Sequence, residues 1–185
     1  DGGKLEIIQG TAVLNHDGSP VPGWPLKSNP AFSYSPAVGD LDGNGDLEIV
    51  FGGSLGSVYA LNHDGTVLPG WPIFTGSVTT TMDGSPIIVD LDGDGKMEVI
   101  IGTTEAKKLF GYHFDGKPID KFPKLLLSHT YSPAAGDADG DGLIDLSVID
   151  ALGNVYQWKF TGPATRAALQ WPMFHHDPQH TGKYP

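Results

Sequence analysis

Three short segments concentrate acidic side chains in a pattern that suits cation binding. They read DLDGNGDLE, DLDGDGKME and DADGDGLID, and we call them the first, second and third acidic loops: residues 40–48, 90–98 and 137–145. Position 6, counted from the first Asp, is glycine in each loop, and glycine permits the sharp turn that a chain makes around an ion. Carboxylates this close repel each other unless a cation neutralises them. The pattern therefore indicates coordination by hard oxygen ligands.

Calcium fits these loops best because it takes about six to eight oxygen ligands, whereas magnesium demands a tight octahedron and sheds water reluctantly. We expect the side chains at positions 1, 3, 5 and 9 to bind. Position 7 varies in residue type, which suits a backbone carbonyl ligand. Asn44 lowers the charge of the first loop and, we expect, its affinity. The predicted ligands of the three Ca²⁺ sites are Asp40, Asp42, Asn44, Asp46 and Glu48; Asp90, Asp92, Asp94, Lys96 and Glu98; and Asp137, Asp139, Asp141, Leu143 and Asp145, with Asp46, Lys96 and Leu143 binding through the backbone.

Two other interpretations of the loops are weaker. An EF-hand also begins this way, but it needs a bidentate Glu at position 12 and a helix on each side. Position 12 here is Phe51, Ile101 or Val148, and the flanking residues are Ser-Pro segments and β-branched runs. A solvated turn without an ion would explain one loop, but three copies with the same glycine and a final acid favour a metal site.

The loops recur within a repeat of about 48 residues. The turn LNHDG begins at Leu14 and Leu61, and YHFDG begins at Tyr112. Ser-Pro precedes each acidic loop, and an apolar run follows it. An aromatic residue before proline recurs four times, as Trp24-Pro25, Trp71-Pro72, Phe122-Pro123 and Trp171-Pro172.

Each repeat reads as about four short strands, without a convincing helical period, and this is typical of a propeller blade. The predicted fold is all-β, a β-propeller of four blade-like repeats in a single domain. We place the repeats at about 1–34, 35–84, 85–131 and 132–185. A strand solenoid is the alternative, but its coils are usually shorter.

The two ends of the sequence bear on the number of blades. Glu6 aligns with Glu48, but the Asp-x-Asp half of its loop is missing. The sequence thus contains four repeats less one strand and one acidic loop. We expect it to be part of a larger propeller, and a closed four-bladed ring that lacks one strand is the alternative.

The acidic loops resemble the D-x-D-x-D-G-x-x-D calcium loops of FG-GAP repeats, the family that builds integrin α-subunit propellers and many bacterial surface proteins. SPAVGDLDGNGDLEIVFGG, residues 35–53, also resembles bacterial VCBS-type repeats, and WPMFHHDPQHTG, residues 171–182, resembles the end of bacterial secreted propellers. The Phe-Gly and Gly-Ala-Pro signatures are only partly present, as Phe51-Gly52 and SPAVG. The resemblance implies an extracellular calcium-binding propeller in which the ions fix the shape and other loops bind the partner.

Composition excludes several classes of function. The net charge of −11 argues against nucleic acid and anionic membranes as partners. The absence of cysteine removes disulfides and thiol chemistry. No apolar run reaches the length of about 18 residues that a membrane-spanning helix needs. No leader sequence is evident at Asp1, so we expect the sequence to be a mature chain, a fragment or a cytosolic protein.

Other residues that could do chemistry have a simpler explanation. GGSLG at 52–56 matches a nucleophile elbow in letters, but a strand and not a helix is predicted after Ser54. His175, His176 and His180 could bind a transition metal, although packing is the favoured interpretation. We expect His16, His63 and His113 to be exposed turn residues. The Trp-Pro pairs suit packing, with sugar stacking on Trp24 or Trp71 as the alternative.

The sequence therefore predicts a secreted or cell-surface calcium-binding scaffold for adhesion or protein–protein interaction. We expect no enzymatic activity, because no carboxylate pair or general base stands outside the repeat pattern. The alternatives are a carbohydrate-binding propeller, either a lectin or the non-catalytic part of a glycan-active enzyme, and a stalk or filament subunit that associates with itself through the incomplete blade. The partner, a protein or a glycan, is not identified.

Overall fold

Antiparallel strands make up four separate sheets in the computed structural model, which describes residues 5–26, 35–76, 82, 84–103 and 106–184. The first sheet has two strands, the second and third have four each, and the fourth has three. The predicted boundary at residue 34 lies outside the described residues. In chain order the strands are β1 (Ile7–Gln9), β2 (Ala12–Leu14), β3 (Ala37–Gly39), β4 (Glu48–Gly52), β5 (Ser57–Leu61), β6 (Ile73–Phe74), β7 (Ile87–Val89), β8 (Glu98–Gly102), β9 (Lys108–His113), β10 (Lys124–Leu125), β11 (Ala134–Gly136), β12 (Leu143–Ile149) and β13 (Val155–Pro163).

The second and third sheets are four-stranded meanders, in which neighbouring strands follow each other along the chain. This is the strand pattern of a propeller blade. Their second strands, β4 and β8, are buried along all five residues, which explains why EIVFG and EVIIG read as continuous apolar runs after the first acid. The only helical segment within the described residues is a 3₁₀ turn, Ser54–Gly56. The prediction of an all-β fold is confirmed.

Aromatic side chains before proline join neighbouring sheets. The indole N–H of Trp24 donates a hydrogen bond to the carbonyl of His63 at 3.0 Å, and that of Trp71 donates to the carbonyl of Phe114 at 2.9 Å. Phe122 has no such donor and instead stacks against Phe160, with ring centroids 6.3 Å apart. The aromatic–proline repeat thus marks the contacts between consecutive sheets.

Glycine permits the close approach at the same contacts. Gly70 has a φ of 90° and packs against the next sheet so tightly that an added Cβ would lie 2.1 Å from the carbonyl oxygen of Asp115. Gly23 occupies the corresponding place before the second sheet, where a Cβ would lie 1.8 Å from the carbonyl oxygen of Asp64. Any other residue at these positions would push the two sheets apart.

Trp171 departs from the repeat that its spacing predicts. Its backbone exchanges two hydrogen bonds with Ile88 in β7, at 2.9 and 3.0 Å. Next to it, Gln170 Oε1 accepts the N–H of Asp40 at 2.7 Å, and the Pro172 carbonyl accepts the N–H of Ala135 at 2.8 Å. This segment therefore contacts the first strands of the third and fourth sheets and the residue that follows β3, and does not join a sheet as a fourth strand.

Within the described ranges, the sheets do not close into a ring. Among the described residues, β13 forms one edge of the fourth sheet and pairs only with β12. No helix in that part of the chain has the length and apolarity needed to cross a bilayer.

Candidate metal centres

Each acidic loop connects the first and second strands of a sheet. Position 1 directly follows β3, β7 or β11, and position 9 lies at the start of β4 or β8 or, in the third loop, within β12. The glycine at position 6 has a positive φ in every loop: 92° at Gly45, 86° at Gly95 and 82° at Gly142. The turn therefore requires glycine, as the sequence predicts.

The first Asp of each loop organises the backbone around it. In the first loop, Asp40 Oδ1 accepts the N–H groups of Gly43 and Asn44 at 2.8 and 3.0 Å, and Oδ2 accepts that of Gly45 at 3.0 Å. Asp90 and Asp137 make the same three hydrogen bonds in their loops. The loops hold their turn through these backbone donors.

The acid at position 9 is buried in all three loops. Glu48 Oε2 accepts the N–H of Leu41 at 2.8 Å, whereas Glu48 Oε1 is buried without a hydrogen-bond partner. Glu98 accepts the N–H of Leu91 in the same way, at 2.8 Å. Asp145 Oδ2 accepts the N–H of Ala138 at 3.0 Å. Buried polar atoms are nearly always paired, so Glu48 Oε1 indicates a missing partner, either a hydrogen-bond donor or a cation.

Burial also changes the protonation of the two glutamates, Glu48 and Glu98. Desolvation raises the pKa of Glu48 to about 7 and that of Glu98 to about 8. The Leu41 and Leu91 N–H groups oppose the rise, and the neighbouring Asp carboxylates of each loop add to it. A cation between these carboxylates would offset both the desolvation of the glutamate and its repulsion by the neighbouring Asp carboxylates.

Carboxylate oxygens converge in all three loops. Within each of the following sets the oxygens lie within 4.8 Å of one another: Asp40, Asp42 and Glu48; Asp90, Asp92 and Asp94; and Asp137, Asp139 and Asp145. Asn44 Oδ1 accepts the N–H of Asp46 at 2.6 Å. The donor set and the unpaired Glu48 oxygen fit a hard divalent cation in the first loop.

Two cationic or titratable side chains next to the loops were missed by the sequence-based reasoning. His113, predicted to be an exposed turn residue, is half-buried and its Nδ1 lies 3.1 Å from Glu98 Oε1. The Nζ of Lys159 lies 2.6 Å from Asp139 Oδ2 and 2.7 Å from Asp141 Oδ2. Lys96, a predicted backbone ligand, directs its ammonium 4.0 Å from the ring centroid of Phe114.

The remaining candidates for chemistry lie in ordinary structural positions. Ser54 begins the 3₁₀ turn between β4 and β5, and a strand follows it, so it does not form a nucleophile elbow. Trp24 and Trp71 are buried between sheets and present no open indole face for a sugar.

The histidines near residue 175 pack against aromatic rings. His175 stacks on Phe174 with centroids 3.8 Å apart, and His176 makes an edge contact with Trp171 at 5.2 Å. Within the described ranges, His175, His176 and His180 belong to no group of three ligand atoms close enough to hold a metal ion.

The loops and the fold both have counterparts in known proteins. Residues 40–101 match the model of the FG-GAP-like repeat. Among solved structures, BBS1N, solved in complex with ARL6DN, is 15% identical with a TM-score of 0.57, over 88% of this chain and 51% of that one. BamB from Moraxella catarrhalis is 18% identical with a TM-score of 0.47, over 85% of this chain and 49% of that one. The V. cholerae biofilm matrix protein Bap1 is 16% identical with a TM-score of 0.43, over 83% of this chain and 33% of that one.

The chain spans about half the length of BBS1N, and a comparison with curated protein sequences gives no match. BBS1N is a propeller-like protein, and its similarity concerns the fold. Together with the four-stranded meanders, it confirms the predicted propeller architecture. Residues 40–101 thus match the FG-GAP-like repeat, and they lie within a chain of β-propeller fold.

Proposed function

We propose that this chain is a calcium-stabilised, non-catalytic propeller scaffold that binds a protein partner outside the cell, as in adhesion. The observation that carries the proposal is the buried carboxylate of Glu48, which has one oxygen without a partner and lies within 4.8 Å of Asp40 and Asp42. A buried anion of this kind is costly unless a cation pairs with it.

The chain's own residues would do most of the work of ion binding. Asp40, Asp42 and Glu48 supply carboxylate oxygens, and Asp46 supplies a backbone carbonyl. The N–H groups of Gly43 and Gly45 orient Asp40 before any ion enters. A bound Ca²⁺ ion would supply the positive charge that neutralises the carboxylates.

A structural role follows from where the loops lie. The carbonyl of Leu41, at position 2 of the first loop, accepts the N–H of Met97, at position 8 of the second loop, at 3.1 Å. The carbonyl of Leu91, at position 2 of the second loop, accepts the N–H of Gly162 in β13 at 2.8 Å. Ordering either loop therefore also fixes a contact between neighbouring sheets.

Calcium affinity and the propeller fold favour an extracellular location and a protein partner. Extracellular modules typically bind Ca²⁺ with dissociation constants of about 10⁻⁴–10⁻³ M, which only an extracellular calcium level fills. BBS1N was solved in complex with ARL6DN, so a related fold binds a protein. The burial of Trp24 and Trp71 disfavours the carbohydrate alternative at these two residues.

Self-association is the second candidate function. β13 is a nine-residue strand whose outer edge pairs with no strand among the described residues, apart from the hydrogen bond that Gly162 donates to Leu91, and Val155 on it is 68% exposed. Such an edge can accept a strand from another copy. Light scattering at several concentrations, with and without Ca²⁺, distinguishes a monomeric scaffold from a filament subunit.

Thermal unfolding of the chain in chelator and in millimolar Ca²⁺ tests the calcium proposal. Each site filled at tenfold excess over its dissociation constant stabilises the fold by about 1.4 kcal/mol. Two such sites would raise the melting temperature by about 6–12 °C in a protein of this size. Mg²⁺ at the same concentration should give a smaller rise. Identical melting in chelator and in Ca²⁺ would refute the proposal.

A further inference from the structure

The three acidic loops differ in the residue that faces position 9 from the neighbouring strand. In the third sheet Glu98 pairs with His113, and in the fourth sheet Asp145 pairs with Lys159. In the second sheet Asn62 has the matching place, one residue beyond the pair that Ile49 makes with Leu61. This position is therefore an amide, an imidazole or an ammonium, according to the loop.

Only the lysine among these three neighbours brings a permanent charge to the loop. Its Nζ donates hydrogen bonds to Asp139 Oδ2 at 2.6 Å and to Asp141 Oδ2 at 2.7 Å. These are two of the four carboxylates predicted to bind the ion in the third loop. The first loop has no ion pair among the described residues, and Glu48 Oε1 has no partner at all.

We propose that Lys159 is a tethered cation that occupies part of the third acidic loop and sets its Ca²⁺ affinity below that of the first loop, even though Asn44 lowers the charge of the first loop. The inference rests on the proposed calcium role and concerns which loops take the ion. An ammonium has three donors and no acceptor, so it can satisfy two carboxylates at once. Ca²⁺ must displace it from both before they can become ligands.

The lysine continues to oppose the ion after displacement, because β13 keeps it next to the loop. Repulsion between a unit charge and a divalent ion about 6 Å apart in water corresponds to about tenfold in affinity. The proposal does not require the ion pair to stabilise the fold. Lys159 is 41% exposed, and exposed pairs contribute little to stability.

Calorimetric Ca²⁺ titration of the full chain tests the proposal with reciprocal substitutions. Lys159→Asn gives the third loop the residue that neighbours the first, and Lys159→Gln is a second variant of similar length. We expect each to tighten the weakest site about tenfold. Asn62→Lys places an ammonium beside the first loop and should weaken one tight site by a similar factor.

Lys117→Asn is the matched control. Lys117 also pairs with an Asp at 2.6 Å, but that partner, Asp115, belongs to a turn outside the acidic loops. This variant should leave all Ca²⁺ affinities unchanged. To assign the affected site, Lys159→Asn is repeated together with Asp137→Asn, which removes the carboxylate at position 1 of the third loop. The second substitution should abolish the gain in Ca²⁺ affinity.

The outcomes separate the two proposals. Ca²⁺ binding with an unchanged weakest site in Lys159→Asn and Lys159→Gln would overturn the role of Lys159 and leave the calcium scaffold intact. No Ca²⁺ binding by the wild type or any variant would overturn both. A tenfold gain in Lys159→Asn that disappears in the Asp137→Asn background is the expected result.

Discussion

Glu48→Gln separates the electrostatic cost of a buried carboxylate from its use in binding an ion. The substitution keeps the shape of the side chain and keeps an oxygen to accept the Leu41 N–H. It removes the charge and places an amide donor near the oxygens of Asp40 and Asp42, which lie within 4.8 Å. We therefore expect opposite effects with and without Ca²⁺.

The size of the effect follows from the pKa of Glu48. Burial raises this pKa from 4.5 to about 7, and each pKa unit corresponds to about 1.4 kcal/mol. Without screening, the ionised Glu48 would lower the free energy of unfolding at pH 8 by about 3 kcal/mol. Screening by solvent at the loop reduces this loss to about 1–3 kcal/mol. Because the folded-state pKa lies above the unfolded one, the cost is absent below about 4.5 and grows as the pH rises through 7.

Equilibrium denaturation at pH 8 and pH 5, in chelator and in Ca²⁺, measures these terms. In chelator at pH 8, Glu48→Gln should raise the free energy of unfolding by about 1–3 kcal/mol, or the melting temperature by about 2–12 °C. At pH 5 the gain should nearly vanish. In Ca²⁺ the variant should lose part of the stabilisation that the wild type shows.

Glu6→Gln is the control for this substitution. Glu6 aligns with Glu48 in the repeat, but its side chain is exposed. Its replacement should change the free energy of unfolding by less than about 0.5 kcal/mol. If Glu48→Gln destabilised the chain in chelator at pH 8 and left the Ca²⁺ response unchanged, the reasoning from the unpaired carboxylate would be refuted.

Three further predictions concern the second loop and the contacts between sheets. In chelator, the free energy of unfolding should fall between pH 5 and pH 9, because burial raises the pKa of Glu98 to about 8 while the unfolded value stays at 4.5. Saturating Ca²⁺ should remove this fall. A rise of the free energy of unfolding with pH in chelator would contradict the prediction. Gly70→Ala should lower the free energy of unfolding by about 3 kcal/mol or more, because its Cβ would lie 2.1 Å from a backbone oxygen. Gly153→Ala is the control: Gly153 has a φ of 83° and no atom within 4 Å of the added Cβ, so the loss should be only about 1–2 kcal/mol. Equal losses in denaturant would refute the clash. Trp71→Phe should cost about 1–3 kcal/mol in the same assay, since it removes a 2.9 Å hydrogen bond between sheets, and an unchanged stability would contradict that role.

The acidic loops could be located from the sequence because their geometry is local. Each loop places its carboxylates within nine consecutive residues, and the glycine at position 6 is needed for a turn made by the same segment. The aromatic–proline repeat and the Asp-Gly turns likewise depend on neighbours in the chain. Local patterns of this kind predict both the all-β class and the convergence of Asp40, Asp42 and Glu48.

Features that depend on pairing between distant segments could not be predicted. His113 and Lys159 face their loops only because β9 and β13 pair in one register with β8 and β12. A shift of one residue would turn each side chain to the other face of its sheet. Trp171 follows the aromatic–proline spacing, yet its backbone pairs with Ile88, far away in the sequence.

The central claim is that a divalent cation occupies the first acidic loop and pairs with the buried carboxylate of Glu48. A crystal structure at millimolar Ca²⁺, with anomalous diffraction to identify the ion, tests it most directly. We predict an ion bound by Asp40, Asp42 and Glu48, with Glu48 Oε1 at about 2.3–2.6 Å from it. A loop that held only water, with Glu48 Oε1 still unpaired, would contradict the claim.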